Sequence, residues 1–257
     1  MNGVIDLSLM QVALSYLFVF IVLGIVIKRG IRREREILLA SLRMTVQLIL
    51  TGYVLTFIFN KPNPWVTLLI ITVMVAYAIQ TVFQKFKGQL STALKKTIAG
   101  AMAAGTLSCI FYFILVVIQI DPWYQPQYFI PLAGMMIGNS MTGISLGVKS
   151  LTDGMTTQRQ WVEDALNLGA TPKMASHDII NSTFDAAIMP TINSMLGMGV
   201  ISLPGMMTGQ ILSGTPPTTA VTYQIAIMLG ILGAVSLTVI LLLQFGYRSF
   251  FNDQDQL

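Results

Sequence analysis

Six stretches of the chain pass without an Asp, Glu, Lys or Arg: 7–27, 44–60, 62–84, 97–120, 122–148 and 186–247. An α-helix needs about 20 apolar residues to cross the hydrocarbon core of a bilayer, so each of the first five has room for one crossing. The sixth holds 62 residues, too many for one helix and enough for two. SGTPPTT at 213–219 divides it, because adjacent prolines cannot continue a helix. The pattern predicts an all-α integral membrane protein, a polytopic bundle of about seven transmembrane helices in one domain. Their approximate positions are 7–27, 40–60, 64–84, 97–120, 128–148, 186–212 and 219–245.

Residues 149–185 are the one sizeable connection, and their pattern is helical. In QWVEDALNLGATPKMASHDII, Trp161, Ala165 and Leu168 share one helix face, with Glu163, Asp164 and Asn167 on the other side. Gly169 suits a helix stop, and Thr171 followed by Pro172 suits an N-cap and first turn. The spacing predicts two short helices joined by GATP, a compact knob beneath the membrane. An amphipathic pair lying on the bilayer surface is the simpler reading of the same pattern.

Composition agrees with the membrane. The chain is 54% hydrophobic and 10% charged, where a soluble domain carries roughly a quarter charged residues. Its mean hydropathy is +0.72. With seven crossings and an external N-terminus, the inner segments are 28–43, 85–96, 149–185 and the tail from 248. They contain 14 of the 15 basic residues, leaving only Lys61 outside. Lys and Arg accumulate on the cytoplasmic side, which places the N-terminus outside and the C-terminus in the cytoplasm. The start MNGVID has no Lys or Arg, so residues 7–27 read as a retained span rather than a cleaved signal. The net charge of +4 then marks inner loops facing anionic lipid and gives no reason to expect nucleic acid. One Cys (Cys109) and one His (His177) exclude an internal disulfide and a His-rich metal centre; any metal ligand is unknown. Arg43 and Asp185 lie near the membrane edge, where each can pair with the other or reach water alone.

One decapeptide is nearly written twice. GMMIGNSMTG runs over 134–143 and GMMTGQILSG over 205–214, identical at five of ten positions. Two readings stand. Gly134, Gly138, Gly205 and Gly209, small residues spaced by four, would let helices approach closely. Alternatively the copies face each other and Met135, Met136, Asn139, Met206, Met207 and Gln210 line a pathway, offering neutral oxygen and sulfur to a cation.

The knob carries a resemblance. Glu163, Asp164 and Ala165, then three residues and Gly169, resemble the EAA loop of ABC-transporter permeases, with Ile179 at the spacing of that motif's later Ile. Asp164 departs at the second position, and Asn181-Ser182 stands where importers usually have Leu-Pro. IPLAGMMIGNSM (130–141), LGATPKMA (168–175) and SLPGMMTGQILSG (202–214) are similar to the FetB-type permease family, which includes bacterial iron-export permeases and plant aluminium-tolerance relatives.

That resemblance implies a permease subunit in a bacterial inner or plasma membrane, exporting metal, with iron first in line. Other family cargo, such as a nucleotide sugar or a metal chelate, remains open. It also implies that Glu163, Asp164, Ala165, Gly169, Ala170, Thr171 and Pro172 couple to an ATPase. The chain has no Gly-Lys dipeptide and hence no P-loop. ATP and Mg would therefore belong to a separate ATPase subunit, with two permease and two ATPase chains per complex. This chain would hold no cofactor and be no enzyme itself. A secondary transporter or channel would more often carry ionisable groups at the midplane, and none is evident.

Overall fold

The computed structural model describes residues 7–252 and Gln256. The basic-free start MNGVID and the final Leu257 lie outside the described residues. Among those described there are ten α-helices and no strand. They are α1 (Leu9–Lys28), α2 (Glu34–Asn60), α3 (Pro64–Lys85), α4 (Thr92–Ile118), α5 (Pro126–Thr157), α6 (Arg159–Asn167), α7 (Pro172–Ala175), α8 (His177–Gly197), α9 (Gly205–Leu212) and α10 (Pro217–Gly246). α4 widens into π turns at Met102–Thr106 and Phe113–Ile118, and α10 tightens into a 3₁₀ turn at Tyr247–Phe250.

Local chemistry sets the helix starts. Ser8 and Gln11 cap α1 reciprocally: Gln11 N–H donates to Ser8 Oγ at 3.3 Å and Ser8 N–H to Gln11 Oε1 at 2.7 Å. Asn63 and Ser91 accept from Trp65 and Leu94 N–H at the heads of α3 and α4. Proline opens α3, α5 and α10, where its missing N–H costs nothing.

The chain forms two compact units. One comprises the α1–α2 hairpin up to Pro62 together with Leu212–Thr215. Within it Tyr16 Oη hydrogen-bonds Thr45 Oγ1 and donates to Ser41 O, holding α1 to α2. The other unit holds Asn63–Ile211 and Pro216–Leu257 and contains most of the core.

In that second unit α5 is the axis. Its buried stripe, including Phe129, Leu132, Met136, Ile144, Val148, Leu151 and Met155, packs against α3, α8 and α10. Glycines show the directions of these helices. A methyl on Gly143 would sit 2.8 Å from Val235 Cγ1, and one on Gly147 would sit 3.2 Å from Leu242 Cδ2. Residue numbers rise together, so α5 and α10 run parallel. Against α8 the order reverses: Gly154 meets Ile179, while Gly147 and Gly143 meet Ala187. α8 is antiparallel to both, so it carries the chain back toward the end where α10 begins.

Among the described residues six helices are long and apolar enough to cross a membrane: α1 to α5, and α10 with its 3₁₀ turn. The sequence placed a sixth span at 186–212, where the structure has two helices rather than one. The helix there starts earlier, at His177, stops at Gly197, and resumes as the short α9 after a break at 198–204. Gly199 takes φ +84° in that break, and Met198 bridges Ser202. The connection expected at 149–185 shortens correspondingly, because α5 runs on to Thr157 and α8 begins at His177.

Candidate functional site

In the knob, α6 and α7 are joined by residues 168–171. α6 ends in a Schellman turn. Gly169 takes φ +91°, its N–H donates to Leu166 O at 2.9 Å, and Ala170 N–H reaches back to Ala165 O at 3.0 Å. A side chain at Gly169 would meet nothing within 4 Å. Its requirement is therefore conformational, since L side chains avoid positive φ. Thr171 Oγ1 then accepts from Met174 N–H at 3.4 Å and Pro172 opens α7. α7 is a single turn, and α8 follows after Ser176.

The structure revises the face the knob buries. Val162 is 1% exposed and Leu166 packs against the core, so this edge of α6 meets the bundle. Trp161 and Leu168, expected to share the apolar face with Ala165, are 80% and 89% exposed; Met174 on α7 is 69% exposed. The underside of the bundle accepts the edge one residue around the helix, and the large apolar groups point away. Glu163 is half-buried and pairs with Arg159 Nε at 2.7 Å, Asp164 is exposed, and Ala165, Ala170 and Pro172 are half-buried. That surface ion pair contributes about 0.3–0.5 kcal/mol.

The two decapeptides lie on different elements. Copy one lies inside α5, among α3, α8 and α10; copy two forms α9 and the turn after it, and no extensive contact joins α9 to α5. Met136 is 1% exposed, its methyl 2.5 Å from where a Gly230 Cβ would stand, and Met207 is also buried. Met136 belongs to the hydrophobic core cluster of the second unit. Met135, Met206 and Gln210 are half-buried; Asn139 is exposed and its Nδ2 donates to Met135 O at 2.8 Å. The packing reading fares unevenly as well. Gly134 lies against Met74, but Gly138, Gly205 and Gly209 have nothing within 4 Å of a Cβ.

Close approach falls instead at Gly105, Gly143, Gly147, Gly154 and Gly230, facing Thr238, Val235, Leu242, Ile179 and Met136. Of these the sequence offers a four-residue spacing only for Gly143 and Gly147. It also missed Gln224 on α10, which is 6% exposed. Gln224 Nε2 donates to Met198 Sδ at 3.8 Å beside the α8–α9 break, and its Oε1 has no partner. An amide early in a mostly apolar helix was the available signal. Among the described residues no group of three or more His, Cys, Asp or Glu side chains gathers to hold a metal ion.

The chain matches UPF0014, described as an uncharacterised protein family, over residues 9–251. It belongs to this membrane protein family. It is 36% identical to the UPF0014 membrane protein slr1647 of Synechocystis over 229 residues, which cover 89% of this chain and 88% of the relative. It is 32% identical to the "Probable iron export permease protein FetB" of Escherichia coli over 247 residues, 96% of this chain and 93% of that one. To Protein ALUMINUM SENSITIVE 3 of Arabidopsis thaliana it is 36% identical over 225 residues, 87% of this chain and 80% of the relative. No solved structure matches it. The relatives and the apolar helices together make this UPF0014 chain a multi-pass membrane protein with a role in transport.

Proposed function

We propose that this chain is the membrane-spanning subunit of an ABC transporter that exports metal, iron foremost, with ATP hydrolysed by a separate subunit. The observation that carries the proposal is the knob. It is a short helix closed by Gly169, outside the long apolar helices, with Trp161, Leu168 and Met174 exposed and Glu163 on the same element as the first two. Large apolar groups exposed outside the long apolar helices suit a surface for a protein partner, and Trp is prominent among residues that anchor such contacts. An EAA-type element would seat there in a groove of the ATPase and pass its closure into α5 and α8. The name of the Escherichia coli relative favours iron export; that of the Arabidopsis relative speaks of aluminium and keeps a second cargo in view.

In this reading 177–212 supplies a seventh, interrupted crossing. The N-terminus lies outside, the C-terminus lies in the cytoplasm, and two permease chains join two ATPase chains. Asn139, Thr142 and Lys149 share the exposed side of α5. At the inner end, Lys149, Asp153, Ser182 and Ala186 border a 440 Å³ groove between α5 and α8. Polar groups facing hydrocarbon are costly, so this side suits the second permease chain and the cargo path between the two.

Co-expression with the candidate P-loop ATPase tests the docking. The wild-type chain should co-purify with it, whereas Gly169→Val and Trp161→Asp/Leu168→Asp should insert normally and lose it. Retention of the ATPase by the charged double variant would place the coupling surface elsewhere.

A further inference from the structure

We infer that Gln224 on α10 and Met198 at the break after α8 form a transit site for a soft or borderline transition-metal cation, such as Fe²⁺ or Cu⁺. The assignment rests on the transport reading and adds to it a place where cargo is held. Gln224 is 6% exposed, and its Oε1 is buried without a hydrogen-bond partner. An unpaired amide oxygen in a dry interior is costly, so one that persists there calls for an occupant that completes it. The other end of the amide is weakly engaged: Nε2 donates to Met198 Sδ at 3.8 Å, and a thioether is a poor acceptor.

The break holds the sulfur in place. Ile201 and Ser202 N–H both donate to Gly197 O, at 2.9 and 3.2 Å, and Gly199 N–H donates to Ser202 O at 2.9 Å. Residues 199–203 are exposed, while Met198 is half-buried and packs against the core. The sulfur therefore lies between an open segment and the buried amide, and an ion can reach it without a passage through the core. Gln224 stands seven residues into α10 from Pro217, about 10 Å along the helix axis. Interrupted helices with irregular backbone are where transporters place ion sites within the membrane.

The chemistry selects the occupant. The amide can turn end for end, which puts Oε1 where Nε2 stands, 3.8 Å from the sulfur. A metal with oxygen at about 2.1 Å and sulfur at about 2.3 Å, opened to about 110–120°, sets those two ligands about 3.6–3.8 Å apart. α4, α5 and α8 pack on α10, and the runs 97–120, 122–148 and 186–247 hold no Asp, Glu, Lys or Arg. No fixed cation there repels a metal ion or answers an anion. Thioether sulfur favours soft metals and carbonyl oxygen harder ones, so the pair suits Cu⁺ and Fe²⁺ over Mg²⁺. With neutral ligands the ion is held loosely enough to leave, as a transported ion must be.

Equilibrium dialysis of the detergent-purified chain under anaerobic, reducing conditions reads the site without any ATPase. Bound Fe²⁺, Cu⁺ and Mg²⁺ are counted by inductively coupled plasma mass spectrometry. The wild-type chain should retain Fe²⁺ or Cu⁺ with Mg²⁺ in excess. Met198→Leu and Gln224→Leu should each bind at least about tenfold less tightly, the loss that even a ligand's supporting neighbours produce. Met10→Leu, an exposed position on α1, should bind as wild type does. Gln224→Leu should also keep or raise the thermal midpoint, because it removes an unpaired buried amide; an amide with a structural role alone would lose stability and leave metal retention unchanged. If Gln224→Leu aggregates, Met198→Leu decides, since it conserves volume. Wild-type retention in Met198→Leu, or Mg²⁺ held as strongly as Fe²⁺ and Cu⁺, would overturn the site. Absence of bound metal overturns it even where ATP-driven transport is intact, and variant-dependent metal upholds it even where ATP-driven transport fails.

Discussion

The two copies of the glycine–methionine decapeptide show how little a short sequence determines away from its neighbours. Each ends in a glycine, and the two glycines do different things. Gly143 sits inside α5, where the Val235 side chain of α10 leaves room only for hydrogen. Gly214 has open space around it but takes φ +99° after α9 ends, turning the chain toward Pro216 and α10. One glycine is required for its small size and the other for its backbone conformation. The same contrast runs through the methionines, since Met136 fills the gap beside Gly230 while Met206 stays half-buried on α9.

Substitution separates these roles. Gly143→Val should have the largest effect, losing about 1–3 kcal/mol through overpacking against Val235 and Val239, seen as a lower thermal midpoint in detergent. Gly214→Ala should cost less, about 1–2 kcal/mol, because a methyl must enter the left-handed region. Gly209→Ala should have the smallest effect and the opposite sign. It has open space and helical backbone, so it should gain about 0.5–1 kcal/mol by relieving the glycine penalty in a helix. A loss at Gly209 comparable to that at Gly143 would mean that α9 packs closely against another chain, restoring the packing reading for copy two.

The features legible in the sequence were those settled locally. Five of the seven expected crossings follow from charge-free runs, and α10 follows from the Pro216-Pro217 pair. The knob follows from Gly169, Thr171 and Pro172, whose roles depend on backbone geometry within a few residues. The remainder depended on packing. Whether α6 buries Trp161 or Val162 is decided by the shape of the bundle above it, which no periodicity within α6 records. Gly105 and Gly230 carry no spacing signal, because each is defined by a side chain on a helix distant in sequence. The break at 198–204 had a local trace in Gly197, Gly199 and Pro204, but the long apolar run around it favoured one continuous span.

The exposed knob supports the proposal that this chain moves metal only when a separate ATPase acts on it. Inside-out vesicles containing the chain and its ATPase, supplied with Fe²⁺ under reducing conditions, test that claim most directly. Export from the cell becomes uptake into such vesicles. Iron should accumulate when ATP and Mg are added, and should fail to do so when the ATPase is omitted or the chain carries Gly169→Val. Accumulation that proceeds without the ATPase, or that follows an imposed proton gradient instead of ATP, would contradict the account.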